Sequence, residues 1–245
     1  MKHHWIWILL ILFISGCGQG YDWGWYVVSP LHPQGQTNIQ FLISGLWYTL
    51  LLSVMAILLS IVLGLLIALM TLTKHSFLRK VNRVYVEIFR SIPILVMLLW
   101  VYYGLPPALG IRLDVLWAGV ALALCDSAFE AEIFRAGIQS IEKGQHDAAN
   151  SLGLGFYLKM RLIVLPQAIK RILPAIGNQF VYMLKMSSLV SVIGMTELTR
   201  RADELVVSQY RPLEIYTFLV FEYFVLIIVV SSLVRQLEKK LQTET

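Results

Sequence analysis

Residues 41–72 run without a single charged side chain. About 20 apolar residues suffice for a helix to cross the hydrocarbon core of a bilayer. The run exceeds that need, so its first turns lie at the outer interface or the helix tilts. Four further segments are apolar enough to follow it: 84–105, with Glu87 and Arg90 near its start; 115–134; 172–195, interrupted by Lys185; and 213–234. The expectation is an all-α membrane protein with five transmembrane helices in a domain over 41–241. Composition agrees, with 58% hydrophobic and 14% charged residues. Soluble domains average about 45–50% apolar and about 25% charged.

The placement of Lys and Arg predicts orientation. Lys74, Arg79, Lys80, Arg83 and Arg90 follow the first segment or open the second. Arg135, Lys143, Lys159, Arg161, Lys170 and Arg171 lie between the third and fourth, and Arg235, Lys239 and Lys240 follow the fifth. Only Arg112, Arg200, Arg201 and Arg211, with Lys2, fall on the other side. Basic loops stay in the cytoplasm, which puts the N-terminus outside and the C-terminus inside. The net charge of +5 therefore reads as loops facing anionic lipid, not as a nucleic-acid surface.

The two cysteines, Cys17 and Cys125, form no disulfide framework and no zinc spacing. Cys125 lies in an apolar stretch and is expected to be a small packing residue. His3, His4, His32, His75 and His146 are scattered, without the spacing of a metal site. No nucleophile and base pair suggests catalysis. Lys2, the apolar run 5–14 and then Ile14-Ser15-Gly16-Cys17 look like a secretory signal ending in a lipoprotein cleavage box, with Cys17 lipidated. An uncleaved interfacial anchor is the alternative for 1–17. Residues 18–40, with Pro30, Pro33 and several Gly and Gln, read as an external segment. There Tyr21, Trp23, Trp25 and Tyr26 are suited to the headgroup level.

The connection 138–171 is long enough to need a function. Two short helical pieces are expected, 145–152 and 156–164, with Gly153 and Gly155 at a sharp reversal. Pro166 is expected to end the second piece, and Pro174 to lie in the next helix's first turn. Asp147 would complement the positive end of the first piece. Ala148 and Ala149 are small enough to let a partner approach the backbone. The result is a compact basic cytoplasmic hairpin that fits a groove on another protein.

Here the chain resembles a known family. Asp147-Ala148-Ala149, then Gly153, Ile163 and Leu165-Pro166 are spaced like the EAA loop of ABC importer permeases. Asp147 stands where the family usually has Glu, which keeps the charge and shortens the reach. YVEIFRSIPILVMLLWVYYGLP (85–106) is similar to the second span of the polar amino-acid subfamily, the histidine, glutamine and arginine type. So are Ala131-Glu132-Ile133-Phe134-Arg135, Leu184-Lys185, Ser187-Ser188-Leu189-Val190-Ser191-Val192-Ile193-Gly194 and Glu197-Leu198-Thr199. Departures are Ser91-Ile92 before Pro93, where the family favours Gly-Thr, and Glu130. The resemblance covers roughly 39–241 and implies a type I ABC importer permease fold. It implies a loop that docks into the ATPase subunit, an external solute-binding protein that delivers substrate, and a second permease chain, identical or related. No glycine is followed by Lys and Ser or Thr, so the chain lacks the P-loop phosphate cradle. ATP with magnesium would sit on the partner ATPase, and this chain would bind no cofactor.

Ionisable groups within a span cost about 2.5–3.5 kcal/mol each on insertion scales and need a reason. Asp126 and Glu130 share a face of the third span. Lys185 on the fourth lies at similar depth, and Glu222 sits on the fifth. Two readings stay open. Either Asp126 or Glu130 pairs with Lys185 and sets helix register, or the acids line a path for a cationic solute or an amino-acid ammonium. Glu132 is three residues from Arg135 and can pair within its helix. Ser187 and Ser188 either contact solute or bond back to their own helix. The expected function is the membrane-spanning subunit of an ATP-driven amino-acid importer that alternates access. A non-transporting membrane scaffold or anchor, or a channel, is the alternative.

Overall fold

The structure, a computed structural model, describes residues 21–73, 75–110 and 115–243. Among them there is no strand. A 3-10 turn, Trp25–Val28, precedes α1 (Pro33–Ile43), α2 (Leu46–Leu72) and α3 (Ser76–Ser91). Then come α4 (Ile94–Leu99) and α5 (Leu105–Leu109), joined by a π turn, Trp100–Gly104. The long α6 (Val115–Gln139) leads to α7 (Lys143–Ser151) and α8 (Phe156–Lys159). A second π turn, Met160–Val164, joins α8 to α9 (Leu165–Met186), which tightens into a 3-10 stretch, Ser187–Ile193. The last helices are α10 (Leu198–Gln209) and α11 (Pro212–Thr243). Cys17 and the segment 1–17 lie outside the described residues.

The centre of the fold is the seam between α2 and α6. Helices in a bilayer gain little from burying apolar surface against each other, so they associate where small residues allow close packing. On α2, Ser53, Ala56, Ser60, Gly64 and Ala68 are all buried. On α6, Ala118, Ala121, Cys125, Ala128 and Ala131 are likewise buried, the first three clustering with Ala56 and the last with Ala68. Gly64 is the tightest point, since a Cβ there would lie 2.5 Å from the Glu130 Cβ and 2.9 Å from the Ser127 carbonyl oxygen. Cys125 is fully buried in the core, as a small packing residue.

Several expected boundaries move. The segment 84–105 is not one straight helix. Pro93 has no N–H and holds Ile92 extended (φ −88°, ψ 130°), as the residue before a proline prefers, and the helix axis turns by 102° there. Residues 33–40, within the segment expected to be external, are helical, and Pro33 occupies a first-turn position, where its missing N–H costs nothing. Pro166 does not end a helix. It sits in the first turn of α9, directly after the π turn. Pro174 lies well inside α9.

Among the described residues, two helical stretches are long and apolar enough to cross a membrane, Pro33–Leu72 and Pro212–Lys240, or up to four if each bent pair is one span. The third expected span, α6, is long enough at about 1.5 Å per residue, but carries Asp126, Glu130, Glu132 and Arg135.

At the end opposite α7, two buried carboxylates tie the elements together. Glu197 caps α10, accepting from the backbone N–H of Thr199 (2.9 Å) and Arg200 (2.7 Å) and from the Tyr223 hydroxyl (3.0 Å). Gly45 makes room for it, since a Cβ there would lie 2.7 Å from the Glu197 carbonyl carbon. Glu214, in the first turn of α11, accepts from the Gly24 N–H and the Tyr21 hydroxyl. Arg211 donates to the Asp22 carbonyl.

Candidate functional site

The hairpin forms because of its backbone as much as its composition. Gly153 adopts φ +71°, a conformation that costs glycine least. The Leu154 N–H bonds to the Ala149 carbonyl (3.1 Å) and the Gly153 N–H to that of Asn150 (3.0 Å), closing α7 with a Schellman cap. The Lys159 Nζ donates to the Asn150 Oδ1 (3.1 Å) across the reversal. The Gln167 Nε2 donates to the Gln145 Oε1 (3.2 Å) and the Ile163 carbonyl (2.9 Å). Arg171 donates to the Ser140 carbonyl. Beneath these bonds Ile141, Val164, Ala168 and Ile172 pack with Phe134 and Ile138 of α6. The hairpin is therefore fastened to both α6 and α9.

The expected hairpin residues divide by exposure. Asp147, Ala148, Gly153, Leu165 and Pro166 are exposed, Ile163 is half-buried, and Ala149 is fully buried. Ala149 thus serves its own fold. Asp147 does not sit at the positive helix end, because α7 already begins at Lys143 and its first turn holds no acidic residue. Sequence reasoning missed the apolar side chains flanking the reversal. Leu152 is 75% exposed, and Phe156 and Tyr157 are each 68% exposed. The available signal was three large apolar residues beside Gly153 and Gly155 in an otherwise basic loop.

The polar residues of the spans do not converge on one cavity. Asp126 accepts from the Ser60 hydroxyl (2.7 Å) and from the Gln179 amide, so it joins α2, α6 and α9. Glu130 is fully buried and its carboxylate has no hydrogen-bond partner. The expected pairing of either acid with Lys185 does not form, because Lys185 is exposed and Asp126 is already satisfied by neutral donors. Glu222 lies elsewhere, in an apolar groove of about 560 Å³ between α11 and residues Ile43, Leu46, Leu50 and Leu198. Ser187 and Ser188 bond back to the carbonyls of Leu184 (2.8 Å) and Lys185 (2.7 Å). Glu132 and Arg135 do pair, at 2.7 Å.

The chain is thus a bundle of long helices with a hairpin fastened to two of them and large apolar side chains exposed at the hairpin's reversal. Residues 60–243 match the family described as binding-protein-dependent transport system inner membrane component, and the chain belongs to that family. It is 43% identical over 206 residues to the probable glutamine ABC transporter permease protein GlnM of Bacillus subtilis (strain 168), covering 84% of this chain and 95% of that protein. It is 35% identical over 207 residues to the arginine transport system permease protein ArtQ of the same organism, covering 84% and 94%. Among solved structures, the crystal structure of an amino acid ABC transporter with histidines superposes with a TM-score of 0.79 at 41% identity, covering 84% of this chain and 96% of that one. The fold is that of a type I ABC importer permease, an integral membrane transport subunit that is not itself an enzyme; ATP is used by a partner.

Proposed function

We propose that this chain, paired with a second permease chain, moves polar or charged amino acids into the cytoplasm. The relatives named for glutamine and arginine support the substrate class. The observation that carries the mechanism is the hairpin, with Leu152, Phe156 and Tyr157 exposed at its reversal and its base bonded to α6 and α9. Asp147, Ala148, Gly153, Ile163, Leu165 and Pro166 would face or shape the contact with an ATPase, and Ala149 would hold the hairpin's own packing. ATP with magnesium binding to the ATPase pair would close it and pull the hairpins. Each hairpin would then tilt α6 against α9, across the bond between Asp126 and Gln179.

In this reading the chain makes five spans, α6 being the third. The hairpin end is cytoplasmic, and the end holding Glu197 and Glu214 faces outward to receive an external solute-binding protein. Asp126 sets helix register. Lys185 and Ser188, at the open end of α9, reach the solute. Lipidation of Cys17 would add an outer anchor. No observation favours a scaffold or a channel, neither of which needs a hairpin fastened to two helices.

The test is co-expression with the partner ATPase and binding protein, followed by ATP-dependent uptake of arginine and glutamine into vesicles. Asp147→Lys should lower both ATPase co-purification and uptake. Unchanged co-purification, or thiol labelling of an introduced cysteine in the hairpin from outside intact cells, would overturn the reading.

A further inference from the structure

At the hairpin end of α6 a cavity of about 430 Å³ opens between α3 and α6. Its lining includes Arg79, Arg83, Glu87 and Arg90 of α3 and Glu132 and Arg135 of α6. Arg79 and Arg83 also line an adjoining cavity of about 320 Å³ with Ser76 and Lys80. Four guanidinium groups face two carboxylates in the larger cavity, and one of those, Glu132, is already taken by Arg135. Among the described residues, Arg79, Arg83 and Arg90 make no ion pair; Arg90 lies over the Phe129 ring at 5.2 Å. The cavity therefore carries an excess of positive charge over the two carboxylates in its lining.

The same helix carries a second, independent feature. Phe77, Val81, Val84 and Ile88 recur at helical spacing along α3, and all four are exposed. The 102° turn at Pro93 lays α3 across the direction of α4 and α5. The helix is held there by the Asn82 amide donating to the Ile67 carbonyl (2.8 Å) and by a hydrogen bond between the Tyr85 and Ser127 hydroxyls (2.7 Å). A helix with an open apolar stripe on one face and a predominantly basic face on the other is built for the boundary between acyl chains and headgroups. A soluble acidic partner would match the arginines and leave the stripe in water.

We propose that the cavity between α3 and α6 holds the phosphate headgroup of an anionic glycerophospholipid, with Arg79 and Arg83 as its main ligands, while Phe77, Val81, Val84 and Ile88 on the other face of α3 seat the helix among the surrounding acyl chains. Basic pockets between membrane helices suit this chemistry, and Arg matches phosphate oxygens two at a time. The site is independent of which solute is transported. Its position beside Gln139, at the end of α6, would let the lipid brace the base of the hairpin.

The experiment is native mass spectrometry of the full chain in detergent with added phosphatidylglycerol, phosphatidylcholine or sodium phosphate. Each surface Lys or Arg contributes about fivefold to anionic-lipid binding. The wild type should therefore retain phosphatidylglycerol over phosphatidylcholine by about 25-fold or more. Arg79→Gln/Arg83→Gln should bring the two lipids near parity. Arg79→Lys/Arg83→Lys should keep the preference, as should Lys159→Gln/Arg161→Gln on the hairpin. Equal retention of both lipids by the wild type, or an undiminished preference in the glutamine variant, would overturn the proposal. So would loss in the lysine variant at unchanged melting temperature. Displacement of the lipid by millimolar phosphate would make this a free-anion site instead. A glutamine variant that keeps its lipid and loses the ATPase would give the surface to the ATPase.

Discussion

The two ends of the bundle use the same kinds of residue in opposite ways. At the end holding Glu197 and Glu214, both carboxylates are fully buried and each is met by backbone and hydroxyl donors, so polar groups close the structure on itself. At the hairpin end, Asp147 is exposed and makes no ion pair among the described residues, and Leu152, Phe156 and Tyr157 are exposed. One end turns its charged groups inward and the other leaves large apolar groups exposed. The contrast matches the proposed division, stability at the first and ATPase docking at the second, and it can be broken by substitutions at either.

The largest effect is expected at Glu197. Glu197→Ala strands the N–H groups of Thr199 and Arg200 in a half-buried setting and leaves the Tyr223 hydroxyl with its bond to the Thr199 hydroxyl. Each stranded group costs about 1–3 kcal/mol, so a loss of about 3 kcal/mol is expected in detergent unfolding. A wild-type melting curve for this variant would show that the far end is not the stabilising one. Next is Gly64→Leu, which drives side-chain atoms into Glu130 and the Ser127 carbonyl. Overpacking costs about 1–3 kcal/mol, and the loss should appear in the same assay, with α2 and α6 separating in a cross-linking experiment.

Phe156→Asp should leave melting within about 0.5 kcal/mol of wild type, as for other exposed sites, and yet weaken ATPase association about tenfold, or ~1.4 kcal/mol. An equal loss of stability and association would dissolve the distinction between the ends. The smallest effect belongs to Glu132→Gln. It removes a pair with both partners about one-third exposed, worth about 0.5 kcal/mol or less.

Much of the site was legible before the structure. The glycines of the reversal, the basic loop and the spacing from Asp147 to Pro166 all lie close together in the chain, and turn chemistry is local. The pairing of Glu132 with Arg135 was readable for the same reason. The pairing expected for Lys185 was not realised, because depth along a helix says nothing about rotation around it. Lys185 faces outward while Ser60 and Gln179 reach Asp126. Glu197 was visible only as one residue of a family-like Glu-Leu-Thr string, and its role as the cap of α10 depends on Tyr223 arriving from α11.

Hydrophobic length alone determined that this chain enters a membrane as helices, since a bilayer core offers no partner to unpaired backbone groups. Local glycine and proline chemistry determined where the hairpin reverses. Only the tertiary structure decided that α3 turns aside at Pro93, that Gly64 brings α2 onto α6, and which acids are satisfied. Those outcomes depend on contacts between residues far apart in the chain, and a linear pattern records the period of a helix but not the neighbour it meets.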